Sequence, residues 1–240
     1  MSASAVTQFQ ATMGALGVLI TLAAYAVMVL GIKFYGKRPN PVTWFGFGAL
    51  TAVGYFVQWQ KGAAAGSWVM GVTFVACFII AGANLATGHW KLKNFNRWDW
   101  TAFVIGMLCG IFYVISWKFS FGPLISAVWA TAGDLILYKP TFRSARADPN
   151  SEISAGYFLN SVKFIPTFLA MPIWVHMHLD WASAELVVDN CLYSAALVAM
   201  NGYVVYFLYR RRRVLGIKTE PSFRDLLNRL FQLARPARIA

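Results

Sequence analysis

The chain has 240 residues, 58% of them hydrophobic and only 12% charged, with a formal net charge of +12. Soluble domains carry about 25% charged residues, so this composition argues against a soluble enzyme and for a membrane protein. The basic residues lie in short clusters between apolar runs, as topology signals do, and not on the continuous face that binding to nucleic acid requires.

A bilayer core takes about 20 apolar residues per helix. Seven segments meet or approach that length: 13–35, 42–59, 67–87, 99–117, 121–139, 153–174 and 184–209. No Lys or Arg precedes the first, so a cleavable signal peptide is not expected. With the N-terminus outside, Lys33, Lys37 and Arg38 fall in the first cytoplasmic connection. Lys91, Lys93 and Arg97 fall in the second, and Lys139, Arg143 and Arg146 in the third. Of the 21 Lys and Arg, only Lys61 and Lys118 are then outside, and Lys163 lies within a span. Every loop obeys the positive-inside rule at once, which predicts N-out and C-in. Trp44, Trp59, Trp68, Trp90, Trp98, Trp100, Trp117, Trp174 and Trp181 sit near span ends, where interfacial anchors belong.

After the last span, "PSFRDLLNRLFQLARP" places Phe223, Leu226, Leu227, Leu230 and Phe231 at helical spacing behind Ser222 and Asp225. Residues 214–240 therefore read as an amphipathic tail on the anionic cytoplasmic leaflet, against the plainer reading of a partly disordered basic tail.

Two connections say nearly the same thing: "GIKFYGKRPNPVTWF" (Gly31 to Phe45) and "LYKPTFRSARADPNSE" (Leu137 to Glu152). With the chain shifted by about 110 residues, Lys33 meets Arg143, Pro39-Asn40 meets Pro149-Asn150, and Phe47 meets Tyr157. Spans one to three (13–87) then align with spans five to seven (121–209), and span four (99–117) links them. An odd linker helix gives both triplets the same orientation, a parallel repeat. The plainer reading is two unrelated triplets. The expected fold is all-α and integral to the membrane: seven transmembrane helices as two parallel three-helix repeats.

This 3+1+3 plan, with a basic, proline-bearing connection after the first helix of each triplet, resembles the SWEET/PQ-loop transporter superfamily. "KPTFRSARADPNSEISAGYF" is similar to that family's Pro-Gln segment with its basic stretch and aromatic helix start. It reads as a divergent member, with Pro140-Thr141 where the family has Pro-Gln and Gly31-Ile32 at the equivalent place in the first triplet. The resemblance implies alternating access around a midplane cavity. It also implies a substrate-contacting asparagine from the third helix of each triplet, here Asn84 and Asn190. Asn201 matches Asn84 better in height, and hydrogen bonding between helices is the plainer role for all three.

Polar groups at membrane depth are costly and mark functional candidates. Span six carries Asn160, Lys163 and Thr167 at i, i+3 and i+7. At 1.5 Å per residue, Lys163 lies roughly 15 Å deep, near the midplane. Span five carries Thr131, Asp134 and Tyr138, with Asp134 about 7 Å from the cytoplasmic end. Asp134 and Lys163 either line a polar cavity that binds an ionic substrate or relays a proton, or form a static salt bridge. Pro140, ending span five, and Pro166, within span six with Pro172, are candidate hinges, or kinks serving packing alone.

Other chemistry finds little support. Cys77, Cys109 and Cys191 all lie in apolar segments and make neither a disulfide framework nor a CxxC site. His176, His178 and Asp180 lack the further ligand that a metal site needs. Residues 186–208 contain no lysine, which excludes a retinal Schiff base in the last span. No nucleotide loop, nucleophile triad or haem motif is present, so no enzymatic activity, metal or cofactor is expected. The sequence predicts a multi-pass carrier for a small polar metabolite, facilitative or proton-coupled, in a bacterial plasma membrane. The alternative is a non-transporting scaffold or accessory subunit within a homo-oligomer or larger membrane complex.

Overall fold

The computed structural model of the protein describes residues 3–60, 64–88, 90, 95–166 and 181–217. Among them the chain is all-helical, with no strand: α1 Ala3–Tyr35, α2 Pro41–Gln60, α3 Ala64–Ala86, α4 Arg97–Lys118, α5 Pro123–Ala147, α6 Ser154–Val162 and α7 Trp181–Val214. Four stretches are long and apolar enough to cross a membrane: Thr7–Tyr35, Ser67–Ala86, Arg97–Lys118 and Cys191–Val214. The His176–Asp180 cluster, Thr167, Pro172 and the tail beyond Ile217 lie outside the described residues.

Helix ends follow local chemistry. At Gly36 the chain leaves α1 with φ 61°, a conformation glycine adopts without a Cβ clash, and the Lys37 amide returns to the Gly31 carbonyl at 3.1 Å. Asn40 then caps α2, its Oδ1 accepting from the Val42 amide at 3.0 Å ahead of Pro41. Asn96 and Asp99 form a reciprocal capping box at the start of α4.

The core is apolar and aromatic, but the outer surface also carries many large apolar side chains, unlike that of a soluble bundle. On α4, Ala102, Gly106, Cys109 and Gly110 are buried, while Val104, Ile105, Leu108, Ile111 and Phe112 form an exposed stripe. Small residues inward let helix backbones approach, and the bulky stripe is an apolar surface of the kind that suits lipid. Threonines within the bundle turn their hydroxyls to their own helix: Thr21 donates to the Gly17 carbonyl and Thr73 to that of Val69, both at 2.7 Å. Trp44, 1% exposed, centres an aromatic cluster with Tyr25, Phe47 and Tyr157 at ring distances of 5.9–6.1 Å.

Helix neighbours form a simple pattern. α1 and α2 both pack on α3, just as α5 and α6 both pack on α7. Between these groups α1 meets α6 and α2 meets α5, while α4 packs on α2 and α5. The two Pro-Asn connections touch each other, the Arg38 amide donating to the Ser151 carbonyl at 2.8 Å.

Two expectations are corrected. Pro140 does not end its helix, because α5 runs through it to Ala147 and leaves only the turn 148–153 as connection. The proline removes one backbone hydrogen bond, but tertiary contacts beyond it hold the last turns. Thr141 donates to the Thr43 hydroxyl at 3.2 Å, Ala145 is fully buried, and Arg143 engages Asp99 through both arms of its guanidinium. Conversely, 153–174 is not one uninterrupted helix: α6 stops at Val162. Val162 is the residue whose carbonyl Pro166 could not satisfy and against which its ring would press. A tighter turn follows, with the Phe164 amide on the Ser161 carbonyl at 3.4 Å.

Candidate functional site

Lys163 stands where α6 ends, its backbone still helical. As the capping residue just after α6 its amide still reaches the Leu159 carbonyl, and its side chain lies in the bundle interior, 3% exposed. Its ammonium donates to Thr73 Oγ1 at 3.0 Å and to Tyr25 Oη at 3.3 Å. The rings of Tyr25 and Phe164 lie 5.1 and 5.0 Å away, within cation–π range. Tyr25 in turn touches Cys77, Oη to Sγ 3.5 Å.

Asp134, also 3% exposed, comes from α5 and accepts a hydrogen bond from the Tyr193 hydroxyl of α7. Asp134 and Lys163 are not in contact, so the static salt bridge of the plainer reading does not form. They line the same cavity of about 40 Å³. Its walls come from α1 (Tyr25), α2 (Trp44, Phe47, Thr51) and α3 (Met70, Thr73, Cys77). Opposite stand α5 (Asp134, Tyr138), α6 and its following turn (Asn160, Lys163, Phe164) and α7 (Tyr193, Leu197, Asn201). Among the described residues, α4 contributes nothing to it. A second cavity, of about 20 Å³, lies beyond Asp134, Tyr193 and Met70, which belong to the walls of both; Gln58 and Tyr113 supply its other polar groups.

Asp134, Asn160 and Lys163 are therefore brought together. Asn160 lines the cavity, 4% exposed, with its Oδ1 unpartnered. Asn84 is not part of this site: it is fully buried elsewhere, its Nδ2 donating to the Ile80 carbonyl at 3.1 Å. The side chain of Asn190 lies outside the described residues, and the α7 amide on the cavity is Asn201. Pro140 and Pro166 flank the site in the chain without lining it. Tyr25 and Tyr193, the partners of the two formal charges, went unflagged in the sequence. Each is a tyrosine within an apolar run, and a hydroxyl at that depth needs a partner.

A further polar cluster lies around the 148–153 turn. Glu152, fully buried, accepts from the Tyr157 hydroxyl at 2.9 Å. Arg212 of α7 reaches the carbonyls of Pro149 (2.7 Å) and Glu152 (2.9 Å) and the Ser154 hydroxyl (3.2 Å). No protein-family model, curated protein or solved structure matches this chain.

Proposed function

We propose that the protein is a seven-span membrane carrier for a small polar metabolite. In this reading it is a divergent relative of the SWEET/PQ-loop plan, with α1–α3 and α5–α7 as parallel triplets joined by α4. The N-terminus is outside, the basic connections and tail face the cytoplasm of a bacterial plasma membrane, and the tail rests on anionic lipid. The neighbour pattern supports the repeat, because exchanging the triplets maps α1·α3 onto α5·α7, α2·α3 onto α6·α7 and α1·α6 onto α5·α2.

One observation carries the functional reading: a buried cavity bears a lysine and a carboxylate that form no salt bridge with each other, and all six triplet helices wall it. Buried ionisable groups kept apart are expensive in a membrane protein, and a scaffold gains nothing from them. Rocking of the triplets would expose the cavity to each side in turn, as a facilitated or Asp134-linked proton-coupled step.

The test is uptake into proteoliposomes across a panel of small metabolites, comparing the wild type with Lys163→Met and Asp134→Asn. A saturable solute whose uptake both variants abolish supports the carrier. No uptake of any solute, with a stoichiometric co-purifying membrane partner, favours the scaffold instead.

A further inference from the structure

The cavity specifies its occupant more narrowly than "polar". Lys163 has three N–H donors and uses two, on Thr73 and Tyr25. Asp134 accepts from Tyr193 alone, and the buried Asn160 Oδ1 accepts from nothing. Lys163 thus retains a donor, Asp134 retains acceptor capacity, and Asn160, one turn before Lys163 on α6, offers a further acceptor. A purely anionic ligand would satisfy Lys163 and be repelled by Asp134, and a purely cationic one would do the reverse. An uncharged ligand could hydrogen-bond to both groups but would bring a counter-charge to neither.

We infer that the cavity is a site for a small zwitterion, its carboxylate at Lys163 and Tyr25 and its ammonium at Asp134. The inference rests on the carrier reading only for its consequence, transport; the site itself is argued from these side chains. Size follows from volume. A water position takes roughly 10–15 Å³ on this scale, so about 40 Å³ holds about three. That limit favours the smallest amino acids, and the aromatic walls, Phe47 and Tyr138 with rings 4.7 Å apart, must part for anything larger.

The experiment is binding of radiolabelled alanine to the purified full chain in nanodiscs, competed by glycine, serine, acetate and methylammonium. Glycine and serine should displace alanine, while acetate and methylammonium should compete at least roughly tenfold more weakly, because each forfeits one charge-assisted contact. Asp134→Asn and Lys163→Met, checked for monodispersity, should each weaken alanine binding by a similar factor. The wild-type competition needs no variant to fold. Equal competition by acetate or methylammonium, or no saturable binding of either alanine or glycine, overturns the inference. Saturable alanine binding without uptake into proteoliposomes sinks the carrier reading and leaves the site standing. Uptake of an uncharged solute that alanine does not inhibit overturns the zwitterion site and leaves the carrier standing.

Discussion

Lys163 and Thr73, 90 residues apart in the chain, are joined by a buried hydrogen bond of 3.0 Å. It ties the turn after α6 to the middle of α3. Removing the acceptor and removing the charge should have opposite consequences. Thr73→Val leaves the ammonium buried with one acceptor fewer and should cost about 1.5–3 kcal/mol. Lys163→Met fills a similar volume without a charge to desolvate and should leave stability unchanged or raised, while abolishing uptake. Unfolding midpoints in a single detergent, read beside proteoliposome uptake, check both. A Lys163→Met variant that unfolds more readily than Thr73→Val would refute the argument.

Asp99 anchors α4 to α5 through Arg143, whose Nε reaches Oδ1 at 2.9 Å, and also caps its own helix by accepting from the Asn96 amide at 3.0 Å. Asp99 is buried, whereas the Arg143 side chain is 37% exposed. Removing the arginine strands a buried carboxylate, while neutralising the aspartate lets Arg143 turn to solvent. Arg143→Ala should therefore destabilise by about 1–3 kcal/mol, less than a fully buried pair because of solvent screening. Asp99→Asn, which keeps an oxygen for the cap, should cost less. The order of the two unfolding midpoints is the measurement.

Arg212 holds the 148–153 turn by several hydrogen bonds from one planar fork. A lysine keeps the charge and loses that geometry. Arg212→Lys is expected to accelerate hydrogen exchange of the Ser151 amide, which donates to the Asp148 carbonyl within this turn. The Phe119 amide, which donates to the Ile115 carbonyl at the opposite end of α4, should keep its wild-type exchange rate as the internal control.

α1 and α6 approach closely at Gly156, where an added Cβ would lie 2.5 Å from Met28 Cγ and 2.6 Å from its Cε. Gly156→Ala should cost about 1–3 kcal/mol by overpacking, and Met28→Ala about 2–5 kcal/mol by leaving a cavity. In the double variant the new methyl occupies part of the vacated space, so its loss should be smaller than the sum of the single losses. A double-mutant cycle on thermal unfolding measures the coupling.

Much of this molecule is legible from the sequence because its causes are local. Runs of apolar residues, too long and too poor in charge for a soluble fold, already point to the helices of the described residues and to the four long and apolar enough to cross a membrane. The small residues Ala102, Gly106, Cys109 and Gly110 and the bulky Val104, Ile105, Leu108, Ile111 and Phe112 already sort α4 into two faces by spacing alone. Asp134, Asn160 and Lys163 stand out because polar side chains at such depth require a reason.

Tertiary structure decided the rest. Whether a proline ends a helix depends on what lies beyond it: Thr141, Ala145 and Arg143 find partners, and α5 continues through Pro140. Four residues before Pro166 α6 ends instead, and Lys163, just beyond that end, meets Tyr25 and Thr73. Sequence spacing could propose that Asp134 and Lys163 share a space, but not that each would take a tyrosine in place of the other. That choice depends on where six helices converge, and only the packed bundle sets those distances.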